Sequence, residues 1–294
     1  QKIGRKLCRF GWIDFIESQE VVHQLIGKVE EYAREKGMDV VEGPVGFLEF
    51  DISGVLVEGF DQVPTAYGKY NYPYYEPLIL AEGYVKSTDF VEYRISVPTD
   101  LDRYHRMARI VSERYGLREG DYKSKSELLR KYVDGIFSVM NSCYSKLHGF
   151  SELSPAQCED LKKQFLPNIN IDYVSVIVDR NDKVIGFGIT LPSLSLALQK
   201  AKGHLFPFGF IHVLRALRKN DTIDALLIAI SEEYQDKGVN AMIVSKIGEG
   251  MKKNGIKYVE STRELEDNHN VQNIWGRFEH RLHKRARVYI KELQ

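Results

Sequence analysis

The chain has 294 residues, enough for one large domain or two ordinary ones with a sizeable core. Its 41 Lys and Arg balance 41 Asp and Glu, so no global field marks a nucleic acid or an acidic membrane surface as a partner. Hydrophobic residues at 43% describe an ordinary globular protein, and Cys8, Cys143 and Cys158 form no CxxC pair and are odd in number, which argues against a disulfide framework or zinc site and for a reducing, cytoplasmic setting.

In chain order, residues 7 to 17 alternate as a strand. Residues 18 to 37 carry Val22, Leu25, Ile26, Val29 and Tyr32 at helical spacing and stop at Gly37. "MDVVEGP" reads as a short strand. A loop rich in Gly, Pro and Tyr follows, with a helix at 74 to 82 and a strand at 90 to 98. The charged stretch from Asp100 to Asp121 reads as a connector.

Beyond it come a helix near 125 to 147 and the strands "YVSVIVDR" and "VIGFGITLP", joined at Asn181-Asp182. The apolar stretch 193 to 217 reads as two helices interrupted at Phe206-Pro207-Phe208-Gly209. A strand at 223 to 231, a helix at 239 to 254, the strand "IKYVES", a helix near 268 to 281 and the strand "ARVYIKEL" complete the order. Strands alternating with helices predict an α/β sheet. No apolar run reaches the ~20 residues of a membrane span, and no signal peptide is apparent.

The stretch "EYAREKGMDVVEG" aligns on "GMKKNGIKYVES", setting Gly37 on Gly255, Val41 on Val259 and Glu42 on Glu260. The chain thus reads as a tandem repeat, although two amphipathic helices can match by chance.

Gln235-Asp236-Lys237-Gly238 lies where a buried strand feeds a helix with apolar Val239, Met242, Ile243, Ile247 and Met251. The first N–H groups of such a helix are unpaired and carry partial positive charge, so a diphosphate fits there, with glycine allowing close approach and Lys237 adding a cation. A plain helix start with a solvated lysine gives the same residues.

"EEYQDKGV" resembles the Q/R-x-x-G-x-G/A acyl-coenzyme A motif of the GNAT (Gcn5-related N-acetyltransferase) superfamily, with Asn240 where a second Gly or Ala is usual. "ELEDNHNVQNIWGRF" and "HKRARVYIKEL" resemble the last helix and strand of bacterial two-module GNAT-like proteins. "GPVGF", "LVEGFDQVP" and "YNYPYYEPLILAEGYVKSTDFVEYRI" resemble their amino-terminal module. The resemblance implies an α/β fold of tandem GNAT-like modules, each a mixed central sheet flanked by helices. Residues 1–100 would be the carboxy-terminal part of a degenerate module whose opening strands precede Gln1, 101–123 a connector, and 124–294 the acyl-CoA-binding module. The first module's loop, Glu17-Ser18-Gln19-Glu20, is acidic and would repel a diphosphate.

The resemblance further implies acetyl-CoA, or another acyl-CoA, in a V between strands 223–231 and 256–261. The backbone of Ile228, Ile230 and Ser231 would meet the pantetheine, and Gln235, Asp236, Lys237, Gly238, Val239 and Asn240 the diphosphate, with Asn268 also on the coenzyme. A neutral amine then attacks the thioester, which needs a base and an acid. Candidate bases are Asp224, Glu260 and Glu266, each also readable as a solvated carboxylate. The family's usual acid is a tyrosine in the last helix, but its spacing from Asn268 reaches Trp275.

Tyr72, Tyr74 and Tyr75 would line a substrate cleft or pack one module on the other. "HRLHKRAR" reads as a solvated basic face rather than a nucleic-acid arm, and the eight histidines lack metal-ligand spacing. The expected function is an acyl-CoA-dependent N-acyltransferase acting on a small-molecule or peptide amine, with no nucleic acid, membrane or metal partner. The alternative is a catalytically weak GNAT-fold protein that binds acyl-CoA or serves as an interaction module.

Overall fold

A computed structural model describes residues 5–47, 51–145, 152–165 and 168–293. Its elements begin with β1 (Leu7–Arg9), α1 (Gln19–Glu35), β2 (Val40–Gly43), β3 (Val55–Glu58), α2 (Tyr75–Ala81), β4 (Val85–Ser96) and α3 (Asp102–Tyr115). They continue with β5 (Arg118–Glu119), α4 (Lys125–Tyr144), α5 (Pro155–Phe165), β6 (Val174–Val178), β7 (Val184–Pro192), α6 (Ser195–Lys200) and α7 (Gly209–Arg218). The last are β8 (Thr222–Ile230), α8 (Asn240–Lys253), β9 (Tyr258–Ser261), β10 (Glu264–Leu265), α9 (His269–Trp275) and β11 (His280–Glu292).

The chain divides into two compact units: Gln1–Tyr93 with Thr262–Gln272 and Arg281–Gln294, and Arg94–Ser261 with Asn273–His280. In the first unit β1 runs parallel to β2, β11 pairs antiparallel with both β2 and β3, and β10 pairs with β4. The core joins Phe10, Phe15, Val22, Ile26, Val41, Tyr75, Ile79, Tyr84 and Tyr289. Of the helical stripe read in α1, Val22 and Ile26 are buried while Leu25 and Tyr32 are exposed.

The strand expected over 7 to 17 ends at Arg9. Gly11 lies so close to the backbone of Val45 that a Cβ would clash, and Trp12 has a left-handed φ of 57°, so the chain turns out of the sheet there. The apolar residues beyond still serve the core, but from a loop.

In the second unit the strand order is β5-β6-β7-β8-β9, followed by the last residues of β4. Neighbours are antiparallel except β8 and β9, which are parallel. Val174, Val176, Ile177 and Phe187 are wholly buried in the hairpin, and Asp182 at its turn has φ 64°. Gly135 lets α4 approach Val184, and Gly188 lies directly beneath Ile243 and Ile247 of α8. Each such aliphatic side chain contributes about 1.5–3 kcal/mol when fully buried.

The expected connector contains α3 and β5. Among α3's residues only Val111 is buried, so its composition resembles a linker, while Gly116, at φ 64°, caps its end. The helix expected over 268 to 281 ends at Trp275, where a turn from Trp275 to Phe278 leads into β11. Reading helix, loop and helix over 193 to 217 matches α6 and α7.

Candidate functional site

The parallel pairing of β8 with β9 runs only from Thr222–Tyr258 to Ala225–Ser261. Just there β8 carries an extra residue: Ile189 of β7 faces Leu227 while Thr190 faces Ala225, which leaves Leu226 as a β-bulge. Beyond it β8 continues to Ile230, paired with β7 alone among the described residues. The Ser231 N–H donates to Ile185 of β7, so the alternation of an antiparallel ladder turns the N–H and C=O of Ile228 and Ile230 to the opposite edge. That edge is one prong of a fork, with backbone groups turned away from β7. Ser231, expected to meet a pantetheine, spends its N–H on the sheet.

Two side chains of α4 reach this edge, Cys143, read in the sequence only as a free cysteine, and Tyr144, which the sequence did not single out. The Tyr144 hydroxyl of α4 donates to the Ile228 carbonyl at 3.1 Å, and the Cys143 thiol to that of Ile230 at 3.3 Å. Gln235 also donates its amide to the Ile230 carbonyl at 3.0 Å, which pins the loop to the strand.

The loop then makes two left-handed residues, Asp236 at φ 59° and Gly238 at φ 79°. No acceptor within the described chain takes the N–H groups of Lys237, Gly238, Val239 and Asn240 at the start of α8. Four such donors in a row lie at the positive end of a helix of 14 residues. A Cβ on Gly238 would lie 3.3 Å from Val111 of α3. The Lys237 ammonium sits over the rings of Tyr115 and Tyr234, at 5.4 and 5.2 Å from their centroids.

At the closed end of the fork, Asp224 and Glu260 are register partners, so their side chains share one face of the sheet. Both are buried, and Arg94 of β4 pairs with Glu260 at 2.7 Å while stacking on Tyr258. The surface-carboxylate reading of these two residues is therefore replaced by a buried acidic pair.

The other sequence candidates fall in the first unit. Glu266 is ion-paired with Lys86 at 2.8 Å and with Arg285, and these hydrogen bonds hold its carboxyl below the usual range. Asn268 starts α9, accepting from the N–H of Gln272. Tyr75 is buried against Phe15, Tyr74 donates to the Phe15 carbonyl, and Tyr72 is exposed and stacked on Tyr74. Ser18 caps α1 through the Val21 N–H, so its own side chain satisfies a donor at that helix start.

The basic run 280–287 lies within the last strand, β11, and is not simply a solvated face. Lys284 is buried and ion-paired with Glu92 at 2.7 Å, and Arg285 and Arg287 both hold Asp89. Burial works to raise the Asp89 carboxyl, but hydrogen bonds from Arg287, Lys86 and Arg285 outweigh it and hold it at about 2.

The bulged strand, the fork and the turn into α8 belong to a mixed α/β sheet, and the chain has the GNAT fold. It superposes with a TM-score of 0.50 on a tandem GNAT protein from the clavulanic acid biosynthesis pathway, at 12% identity over 98% of this chain and 76% of that one. A GCN5-related N-acetyltransferase from Sphaerobacter thermophilus matches with a TM-score of 0.50, at 8% identity over 94% and 69%. In sequence, the chain is 25% identical over 308 residues to Protein YghO of Escherichia coli (strain K12), covering 100% of this chain and 76% of that protein. It is 24% identical over 302 residues to the bacterial ceramide synthase of Caulobacter vibrioides (strain NA1000 / CB15N), covering 99% and 76%. No family model matches the chain.

Proposed function

We propose that the protein is an acyl-CoA-dependent N-acyltransferase whose chemistry takes place in the second unit. The observation that carries this reading is the fork beside the bulge at Leu226, set against four unclaimed N–H groups at Lys237 to Asn240. The turn into α8 suits a diphosphate, and the outward N–H groups of Ile228 and Ile230 suit the carbonyls of a pantetheine arm, while their own carbonyls are held by Tyr144, Cys143 and Gln235. When bound, the coenzyme supplies an activated thioester.

The chain's own residues then handle protons. Asp224, beside Glu260 at the vertex, is placed to accept a proton from the attacking amine, with Arg94 neutralising Glu260. Tyr144 presents a phenol along the fork edge and is a better placed acid than Trp275, whose indole holds its proton too tightly to donate. The first unit acts as a degenerate GNAT-like module without a coenzyme site, because Ser18 and the carboxylate of Glu20 occupy its corresponding helix start.

The Caulobacter relative supplies the first acceptor class to test. Making a ceramide acylates the amine of a long-chain base, so a long-chain primary amine heads a panel that also holds amino acids, peptides and polyamines. The experiment is thiol release from acetyl-CoA and from long-chain acyl-CoA with each acceptor, with the amide product weighed by mass spectrometry. Amide formation above the rate without protein supports the reading. Coenzyme binding without turnover on any acceptor would favour a GNAT-fold binding protein instead.

A further inference from the structure

The 28 residues from Ser193 to Asn220 hold five Lys or Arg and two His, and no Asp or Glu, in a chain whose total charge is balanced. They form α6, α7 and the loop between them, all in the second unit. Apolar residues here face outward: Phe206 is 81% exposed and Phe208 71%, and Leu196, Leu205, Phe210 and Leu214 are exposed as well. No residue of α7 is buried. Phe210, Leu214 and Arg218 recur every four residues, so one face of α7 runs from aromatic to aliphatic to cationic. The Phe206 and Phe210 rings lie 6.1 Å apart, making the patch continuous across the loop. Singly exposed apolar residues are ordinary, but a contiguous aromatic patch edged by one sign of charge marks a binding surface.

We propose that the α6–α7 segment is a membrane-surface anchor. It lies on an anionic lipid bilayer, with Phe206, Phe208 and Leu214 entering the boundary between headgroups and acyl chains and Lys202, Arg215 and Arg218 meeting lipid phosphates. The earlier expectation of no membrane partner rested on balanced overall charge and on spanning length, whereas a helix lying in the interface needs only a local basic and apolar face. Charge selects the occupant: a segment without carboxylates requires an anionic partner, and a second copy of this chain would set its cations against themselves across a two-fold interface. Exposure agrees, because Phe206 and Phe208 flank Pro207 in a stretch exposed from Lys202 to Phe208, which leaves both rings accessible to a partner. The long stems of Lys and Arg let the charges reach phosphates while the aromatic rings sit deeper. The anchor holds whatever amine is acylated.

The test is co-sedimentation of the whole chain with vesicles of phosphatidylcholine alone and of phosphatidylcholine mixed with phosphatidylglycerol. The unmodified protein is expected to pellet with the anionic vesicles, to bind neutral ones far less, and to be released by salt. The pair Phe206→Ser with Phe208→Ser is expected to weaken binding on the order of 10-fold or more, because each ring loses its apolar burial. Arg215→Ser with Arg218→Ser is expected to weaken it on the order of 10-fold by removing two charges near the surface. The Phe positions are exposed, so circular dichroism and melting temperature should not change. Failure of the unmodified protein to bind, equal binding to both vesicle types, or unaltered binding of both variants would overturn the anchor. So would a concentration-dependent dimer, seen by analytical ultracentrifugation and abolished by the serine pair, in a protein that ignores vesicles.

Discussion

Asp224 on β8 and Glu260 on β9 are side-by-side partners in a parallel strand pair, one row short of where the strands part, and Arg94 grips Glu260 at 2.7 Å. Both side chains are buried and lie on one face of the sheet, with the Arg94 guanidinium on Glu260. In the proposed reaction Asp224 is the group that accepts the proton of the amine.

Replacing Asp224 by Asn keeps the shape and removes the proton acceptor. Turnover with an identified amine is expected to fall roughly 10²-fold or more, while coenzyme binding, read as a thermal shift, holds steady. Unchanged turnover would assign the pair to structure alone.

Tyr144 offers a second separation of roles. Tyr144→Phe deletes the hydroxyl that meets the Ile228 carbonyl and leaves the ring in place. The expected outcome is a fall in kcat of about 10²-fold with KM for acyl-CoA moving little, the pattern of a lost proton donor. A rise in KM with kcat intact would instead make Tyr144 a wall of the coenzyme channel.

The diphosphate site proposed at the turn into α8 is tested at Gly238. Acyl-CoA at ~100 times its dissociation constant should stabilise the unmodified protein by about 2.7 kcal/mol. For a chain of this size that corresponds to a rise on the order of 5 °C in melting temperature. Gly238→Glu puts a carboxylate into the anion site and a Cβ 3.3 Å from Val111, in a backbone conformation at φ 79°. The variant alone should melt a few degrees lower, at a strain of order 1–3 kcal/mol, and gain almost nothing from coenzyme. An undiminished gain would remove the diphosphate from this loop.

Glu119 predicts how stability follows pH. Burial pushes its carboxyl up to about 7 against the opposing pull of Lys246 and a hydrogen bond from Ser175. Between the ordinary carboxylate range and about 7 the folded state holds a proton that the unfolded chain has lost, so this group makes stability fall as pH rises across that window. Glu119→Gln should therefore be more stable than the unmodified protein at pH 8, by about 2–3 kcal/mol, and nearly equal to it at pH 5. Urea unfolding at both pH values decides it, and an equal difference at the two would show that Glu119 does not titrate there.

What the sequence determined by itself is whatever depends on neighbours along the chain. Helical spacing placed α1 and α8, alternation and Asn181-Asp182 placed the β6–β7 hairpin, and Gln235 to Gly238 marked the turn into α8, because period, caps and turn residues act within a few positions. Only the tertiary structure decided the rest. Trp12 turns the chain out of the sheet only because Gly11 abuts Val45, and α3 looks like a linker until Val111 is covered by other elements. Residues 280–292 return to pair with β2 and β3, and the run read as a solvated basic face buries Lys284 against Glu92. The vertex of the site joins Arg94, Asp224 and Glu260 from three strands, and its edge brings Tyr144 to Ile228 across 84 positions. Strand register and the bulge at Leu226 follow from how both faces of a sheet pack at once, and that information is not local to any stretch of residues.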